Sequence, residues 1–262
     1  MSNLLDSITT GRQPQPPRIM IYGSEGVGKS TFAASAPKPV FVQTEDGLSE
    51  IDTAKFPLCA TYAEVVEQLK AVRDGEHEFQ TLCLDSLDWL ERLIWDRVCQ
   101  DYGVKSIEKA DGGYGKGYVH ALGYWRKLVS LLDDLRNKRG MIVIIIAHSK
   151  VERFEDPENT AYDRYSPRLH KGATGLLCEW VDAVLFATKR FRVSKENAGF
   201  SGERGIAAPI GADGGERIFR TIGGPACIAK NRFNLPAEIP LSWDAFMDAY
   251  RKGTSGGEQD VR

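Results

Sequence analysis

The segment Gly23-Ser24-Glu25-Gly26-Val27-Gly28-Lys29-Ser30 fits the pattern G-x-x-x-x-G-K-[ST] in full, and each position in that pattern has a chemical purpose. Glycines let successive backbone N–H groups curl around a phosphate, and a helix starting at the lysine adds its positive end. Lys29 can reach the β- and γ-phosphates of a triphosphate, while the Ser30 hydroxyl can bind the magnesium ion that bridges them. The predicted phosphate contacts run from Gly23 through Thr31, and the predicted ligand is ATP with Mg²⁺.

Such a site needs a second metal-side oxygen and a group that prepares water for attack. Asp85 closes the apolar run Phe79 to Leu84, where a strand-end carboxylate can reach the metal, so Ser30 and Asp85 form the predicted metal pair. Glu45 follows Val40-Phe41-Val42 and should emerge on the same sheet edge as the glycine loop. It is the predicted base; Glu25 lies inside the loop itself, and Asp88 is expected to ride away on its helix. His148 stands directly after Met141 to Ala147, the most apolar run in the chain. A polar residue there can hydrogen-bond the γ-phosphate or the attacking water, although a histidine satisfied by its own surroundings would read the same way.

The elements that must position these groups alternate. Arg18 to Tyr22 reads as a strand running into the glycine loop, followed by a helix from about Lys29 that Pro37 and Pro39 must end by Ala36. Thr61 and Glu64 form a capping box for a helix over Ala63 to Val72. A helix from about Leu87 to Gln100 has Leu90, Leu93, Ile94 and Val98 as its buried stripe. Another carries Leu122, Trp125, Val129, Leu132 and Leu135 and ends near Arg139-Gly140. Met141 to Ala147 suits a central parallel strand covered on both faces. Strand and helix in alternation predict an α/β fold with a mostly parallel sheet and right-handed crossovers. A short helix over Thr174 to Trp180 and a strand over Ala183 to Ala187 follow. Ile218 to Ile222 and Ala226 to Ala229 read as antiparallel C-terminal edge strands meeting at Gly223-Gly224, and Trp243 to Tyr250 as a last short helix. Two polar stretches, 103–117 and 148–171, and a third over 194–215, are expected to be irregular.

With 262 residues, 42% apolar and 27% charged, the chain suits one large soluble domain. The expected division is a flexible arm over 1–17, an ATPase domain over 18–250 and a disordered tail over 251–262. A net charge of -2 excludes a globally basic nucleic-acid binder, so such contacts must come from local clusters. The cysteines form no C-x-x-C pair and share no metal spacing with the histidines, which argues against a zinc site. No membrane span or leader is expected, and the cytoplasm is the expected location.

Taken in order, Gly-Ser-Glu-Gly-Val-Gly-Lys-Ser at 23 to 30, Phe-Val-Gln-Thr-Glu-Asp-Gly-Leu at 41 to 48, Leu-Cys-Leu-Asp-Ser at 82 to 86, Ile-Ile-Ile-Ala-His-Ser at 144 to 149 and Ala-Lys-Asn-Arg at 229 to 232 resemble the RecA-type branch of P-loop ATPases. The closest resemblance is to the small phage-encoded RecA-like ATPases associated with single-strand annealing and recombination, and it covers roughly residues 18 to 250. It implies a RecA-like core, Glu45 as the residue that activates water, and Lys230 and Arg232 reaching a neighbouring subunit's γ-phosphate. ATP would then sit between subunits of a homo-oligomer, in a ring or a filament. The resemblance also implies that 103–117 and 149–172 line a channel for single-stranded DNA, in host cytoplasm for a phage-encoded chain, with a phage or host single-strand binding protein as a further partner. His148 departs from the usual glutamine or asparagine, and the large flanking domains of full recombinases are not expected in this chain.

The residues give the DNA reading uneven support. Lys105, Lys109 and Lys116 alternate with Tyr114 and Tyr118, a mixture suited to backbone contact and base stacking. In the second stretch Lys150, Arg153, Arg164, Arg168 and Lys171 are balanced by Glu152, Glu155, Asp156, Glu158 and Asp163, so a solvated mobile loop, or one for protein contact, is the alternative there. A helicase or helicase-loading ATPase, and a nucleotide-switched assembly protein without nucleic acid, are the alternative functions.

Overall fold

The computed structural model of the chain describes residues 4–157, 160–197, 203–209 and 215–255. The order is β1 (Arg18–Gly23), α1 (Lys29–Ala34), β2 (Pro39–Gln43), β3 (Ala54–Lys55), α2 (Tyr62–Asp74), β4 (Thr81–Asp85), α3 (Leu87–Asp101) and α4 (Lys116–Arg139). There follow β5 (Ile142–Phe154), β6 (Tyr162–Pro167), α5 (Lys171–Trp180), β7 (Ala183–Lys189), β8 (Phe191–Asn197) and β9 (Glu203–Pro209). The chain closes with β10 (Arg217–Arg220), β11 (Lys230–Asn231), β12 (Glu238–Pro240) and α6 (Trp243–Ser255).

Among the described residues one large sheet carries the strand order β12-β10-β7-β1-β5-β4-β2-β3, with β11 also on β7 and β6 on β5. Strands β1, β2, β3, β4, β5 and β7 pair in parallel, whereas β6, β10, β11 and β12 pair antiparallel. The mostly parallel sheet with antiparallel C-terminal edge strands is therefore present. Because β5 is inserted between β1 and β4, Gly23 and Asp85 flank the same strand, opposite His148 and Ile146 respectively.

The uninterrupted apolar run in β5 follows from this insertion. Val143, Ile145 and Ala147 pack with α2, α3, α4 and α5 on one face, while Ile144 and Ile146 pack with α1 and α6 on the other. A strand with no wet face has no place for a polar residue. The capping box is also present: the Glu64 N–H donates to Thr61 Oγ1 at 3.2 Å, and the Glu64 carboxylate accepts from the Ala60 N–H at 2.7 Å. Among the described residues no helix is long and apolar enough to cross a membrane.

Five stretches differ from expectation. Residues 148–171 are not a loop, since β5 continues to Phe154 and returns as β6, paired from Ser149↔Pro167 to Phe154↔Tyr162. Beyond His148 the strand leaves the two-sided core, so its pattern changes from continuous burial to alternation, and the interleaved charges hid it. In 103–117 a 3-10 helix spans Ile107–Gly112, with Ile107 and Ala110 buried. Gly117 closes onto it: a Cβ there would fall 2.0 Å from the Ile107 carbonyl oxygen.

The predicted pairing of 218–222 with 226–229 does not form. β10 pairs with β7 and β12, and Cys227 makes only isolated bridges to Tyr165 and Gly224. The side of β7 away from β1 takes β10 instead, together with β11 just beyond the predicted partner. In the stretch 194–215, β8 and β9 pair as an antiparallel two-stranded sheet. Finally, α6 continues past Tyr250 to Ser255, and the remaining part of the predicted tail, 256–262, lies outside the described residues.

Candidate nucleotide site

All the central groups converge at the carboxyl edge of the parallel strands. Gly28 has φ +105°, a left-handed conformation that a side chain would strain, and it starts α1 so that Lys29 turns back under the loop. The Lys29 ammonium donates to the carbonyls of Gly23 at 3.1 Å and Ser24 at 2.8 Å, and burial holds its pKa below the usual lysine value. Ser30 Oγ donates to Asp85 Oδ2 at 2.5 Å. Burial raises the Asp85 carboxyl above its ordinary value while the Ser30 hydroxyl opposes the shift. This hard-oxygen pair at the floor of an open cleft fits Mg²⁺, which takes one or two protein oxygens and completes its shell with phosphate and water.

Glu45 is positioned by its neighbour. The Thr44 N–H donates to the Asp85 carbonyl and the Thr44 hydroxyl to the Ser86 carbonyl, both at 2.7 Å, which ties the end of β2 to that of β4. Ser86 Oγ then donates to Glu45 Oε2 at 2.8 Å, and His148 Nδ1 stands 3.7 Å from the same oxygen. Glu25, Gly26, Gly28, Lys29, Ser30, Thr31, Glu45, Asp85 and His148 line one cleft of about 310 Å³. Thus the loop, the metal pair, the predicted base and the histidine are brought together.

Asp88 corrects the expectation that it rides away. In the first turn of α3 it is buried, and its carboxylate accepts from the His148 backbone N–H at 3.0 Å while lying 3.1 Å from His148 Nδ1. Arg168 Nη2 donates to the same carboxylate at 2.9 Å, and Nη1 reaches Glu25 in the glycine loop at 3.3 Å. Burial works to raise the Asp88 pKa, but the hydrogen bonds from His148 and Arg168 outweigh it and hold the carboxyl well below the usual range. His148 is both a cleft residue and a histidine satisfied by a local carboxylate.

Arg168 directly follows β6, and its backbone N–H donates to the His148 carbonyl at 2.8 Å. The hairpin of β5 and β6 is therefore joined to the cleft by side chain and backbone. Tyr22, one residue before the glycine loop, adds a second tie: its hydroxyl lies 3.1 Å from the Tyr165 carbonyl and 2.6 Å from that of Ile228.

Lys230 and Arg232 are not brought to the cleft of their own chain. Lys230 pairs with Val184, near the start of β7, whereas Ala187 further along β7 faces Gly23. The Lys230 ammonium donates to the carbonyls of Cys178 at 2.9 Å, Glu179 at 2.7 Å and Val181 at 2.7 Å, closing the C-terminus of α5. Arg232 lies 3.6 Å from Asp182 with its side chain 53% exposed.

The sequence placed Arg168 only among the cations of the second polar stretch, not beside the cleft, and did not single out Arg217. Arg217 lines the cleft from β10 although it lies far along the chain from every motif. Nothing in its local sequence signals this, since only the pairing of β10 with β7 carries it there.

A parallel sheet with an extra strand between the lysine-loop strand and the aspartate strand, and this set of facing side chains, define a RecA-like P-loop ATPase. The AAA domain family matches residues 15–233, and the chain belongs to that family. It is also similar to the SPbeta prophage-derived uncharacterized protein YorG of Bacillus subtilis (strain 168), at 28% identity over 155 residues. That similarity takes in 58% of this chain and 45% of the relative, so the chain spans less than half of that protein's length. The family match makes it a P-loop ATPase.

Proposed function

We propose that the chain is a Mg²⁺-dependent ATPase that assembles on single-stranded DNA and promotes annealing or recombination, with hydrolysis resetting the assembly. The observation that carries this reading is continuity: β5 places His148 in the nucleotide cleft and runs without a break into a hairpin whose far strand brings Arg168 back onto Glu25 at the cleft and Asp88 behind His148. A change at the phosphates therefore has a covalent and hydrogen-bonded route to that hairpin.

Lys29 would bind the outer phosphates, and Glu45, oriented by Ser86, would accept a proton from the attacking water. Ser30 and Asp85 would hold Mg²⁺, which when bound supplies neutralising charge to the triphosphate. The hairpin exposes Val151 and Tyr165 beside Lys150 and Arg153, and Tyr114 in 103–117 is fully exposed, 100%. Aromatic faces among cations suit bases and backbone of a single strand. Across subunits, the half-exposed Arg232 is the residue suited to a neighbour's γ-phosphate, whereas Lys230 braces α5.

Filter binding of labelled single strands at low salt, with and without a non-hydrolysable ATP analogue, tests the DNA reading. Affinity that rises with the analogue is expected, and no detectable binding would sink it. A nucleotide-switched assembly protein is favoured by one observation: Glu152 faces both Lys150, at 3.7 Å, and Arg164, at 3.3 Å, which reduces the hairpin's charge. Arg232→Ala should bind ATP yet turn it over and assemble poorly, and unchanged specific activity with unchanged assembly would refute a role in trans.

A further inference from the structure

Arg217 is a cation in the cleft that the phosphate chemistry does not use. On the same sheet edge, Arg190 pairs with Glu216 and Glu238 at 2.7 Å each, and Arg220 faces Glu238 at 3.7 Å. Arg217 has no ion pair among the described residues. Its guanidinium lies over the glycine loop instead: a Cβ at Gly28 would fall 3.1 Å from Arg217 Nη1 and 3.7 Å from Leu241 Cδ2. The backbone holds it there, because Arg217 pairs with Lys189 of β7 and its carbonyl accepts from the Leu241 N–H at 3.0 Å.

The sheet order gives a bound nucleotide its direction. Lys29, Asp85, Glu45 and His148 gather the γ-phosphate end over β5, β4 and β2, on one side of β1. A triphosphate lying along the loop then points its nucleoside to the other side, toward β7 and β10. There a second groove of about 390 Å³ shares Gly28, Thr31 and Arg217 with the cleft and continues between α1 and the start of α6 past Ser35, Leu241 and Asp244.

We propose that this groove seats the nucleobase and ribose, and that Arg217 stacks on the base. The proposal rests on the reading of the glycine loop as a triphosphate site. A guanidinium is flat, always charged and weakly hydrated, so it stacks flat on an aromatic face more readily than a strongly hydrated ammonium does. Leu241 supplies apolar contact beside it, and the Thr31 and Ser35 hydroxyls with the Asp244 carboxylate offer polar partners to sugar and base edges. Arg217 is thus the residue that makes the site prefer a nucleotide to a bare triphosphate.

Calorimetric titration with a non-hydrolysable ATP analogue and, separately, with inorganic tripolyphosphate tests this on wild type, Arg217→Lys and Lys29→Ala. Arg217→Lys keeps the charge and removes the plane. It is expected to lower affinity for the analogue by about tenfold, between the values of an exposed and a desolvated cation-π contact, and to leave tripolyphosphate within about twofold. Unchanged affinity for the analogue would overturn the proposal, and so would an equal drop for both ligands, which would make Arg217 a phosphate clamp. Lys29→Ala should abolish both; if it spares both, the phosphate reading fails and the contrast at Arg217 remains readable by itself. Arg217 is exposed, so thermal midpoints of its variants should match wild type.

Discussion

Replacing Glu91 by glutamine should stabilise the protein above neutral pH and leave it unchanged in mild acid. Glu91 lies on the buried face of α3, 4% exposed, and both its oxygens accept from the His170 N–H at 3.1 and 2.9 Å. Burial pushes its pKa up from 4.5 to about 7, against the opposing pull of His170 and Lys150. Between these values the folded chain keeps a proton that the unfolded chain has lost, so stability falls as pH rises through this window and is level above it. At about 1.4 kcal/mol for each factor of ten, the span from 4.5 to about 7 corresponds to about 3 kcal/mol. Glutamine keeps the acceptor and the shape without the charge. Urea denaturation of wild type and Glu91→Gln at pH 4.5 and pH 8 isolates the effect, because other titrations cancel in the difference. The variant should match wild type within about 1 kcal/mol at the lower pH and exceed it by about 3 kcal/mol at the higher, or roughly 6 to 12 °C in thermal midpoint. A difference that does not change with pH would refute the reasoning.

Glu45→Gln should keep ATP affinity and lose turnover by about a hundredfold or more, and wild-type turnover would remove Glu45 from its role. Asp88→Asn leaves His148 and Arg168 with half a partner and should cost about 3 kcal/mol at pH 7 in urea denaturation. Because the folded pKa of Asp88 is depressed, its contribution is complete above the ordinary carboxylate value and is lost as pH falls through the folded one; a loss under about 0.5 kcal/mol at pH 7 would show the clamp to be idle. Gly117→Ala forces a methyl to within 2.0 Å of the Ile107 carbonyl oxygen and should cost about 3 kcal/mol by the same assay. A smaller loss would show that 107–117 yields to it.

The glycine loop, Asp85 and Glu45 were legible because each lies at the end of a strand whose apolar run is continuous in sequence. Local spacing alone then predicts which sheet edge they share. His148 was legible for the same reason, but its partner was not: Asp88 was expected to ride away on α3, and only the packing of that helix against β5 turns its first turn inward. The hairpin of β5 and β6 was hidden because charged pairs such as Glu152↔Arg164 and Arg153↔Asp163 interrupt its apolar pattern once the strand leaves the core.

What the sequence by itself determined was the phosphate-binding chemistry and the parallel core, since a strand, a turn and a helix N-terminus are set by neighbours within a few residues. What only the tertiary structure decided was which distant cations reach the cleft or the residues that brace it. Arg168 arrives on a returning strand and Arg217 on an antiparallel edge strand, each across a long stretch of chain. Backbone pairing between strands depends on which edges are free after the core has packed, and no local pattern of side chains records that choice.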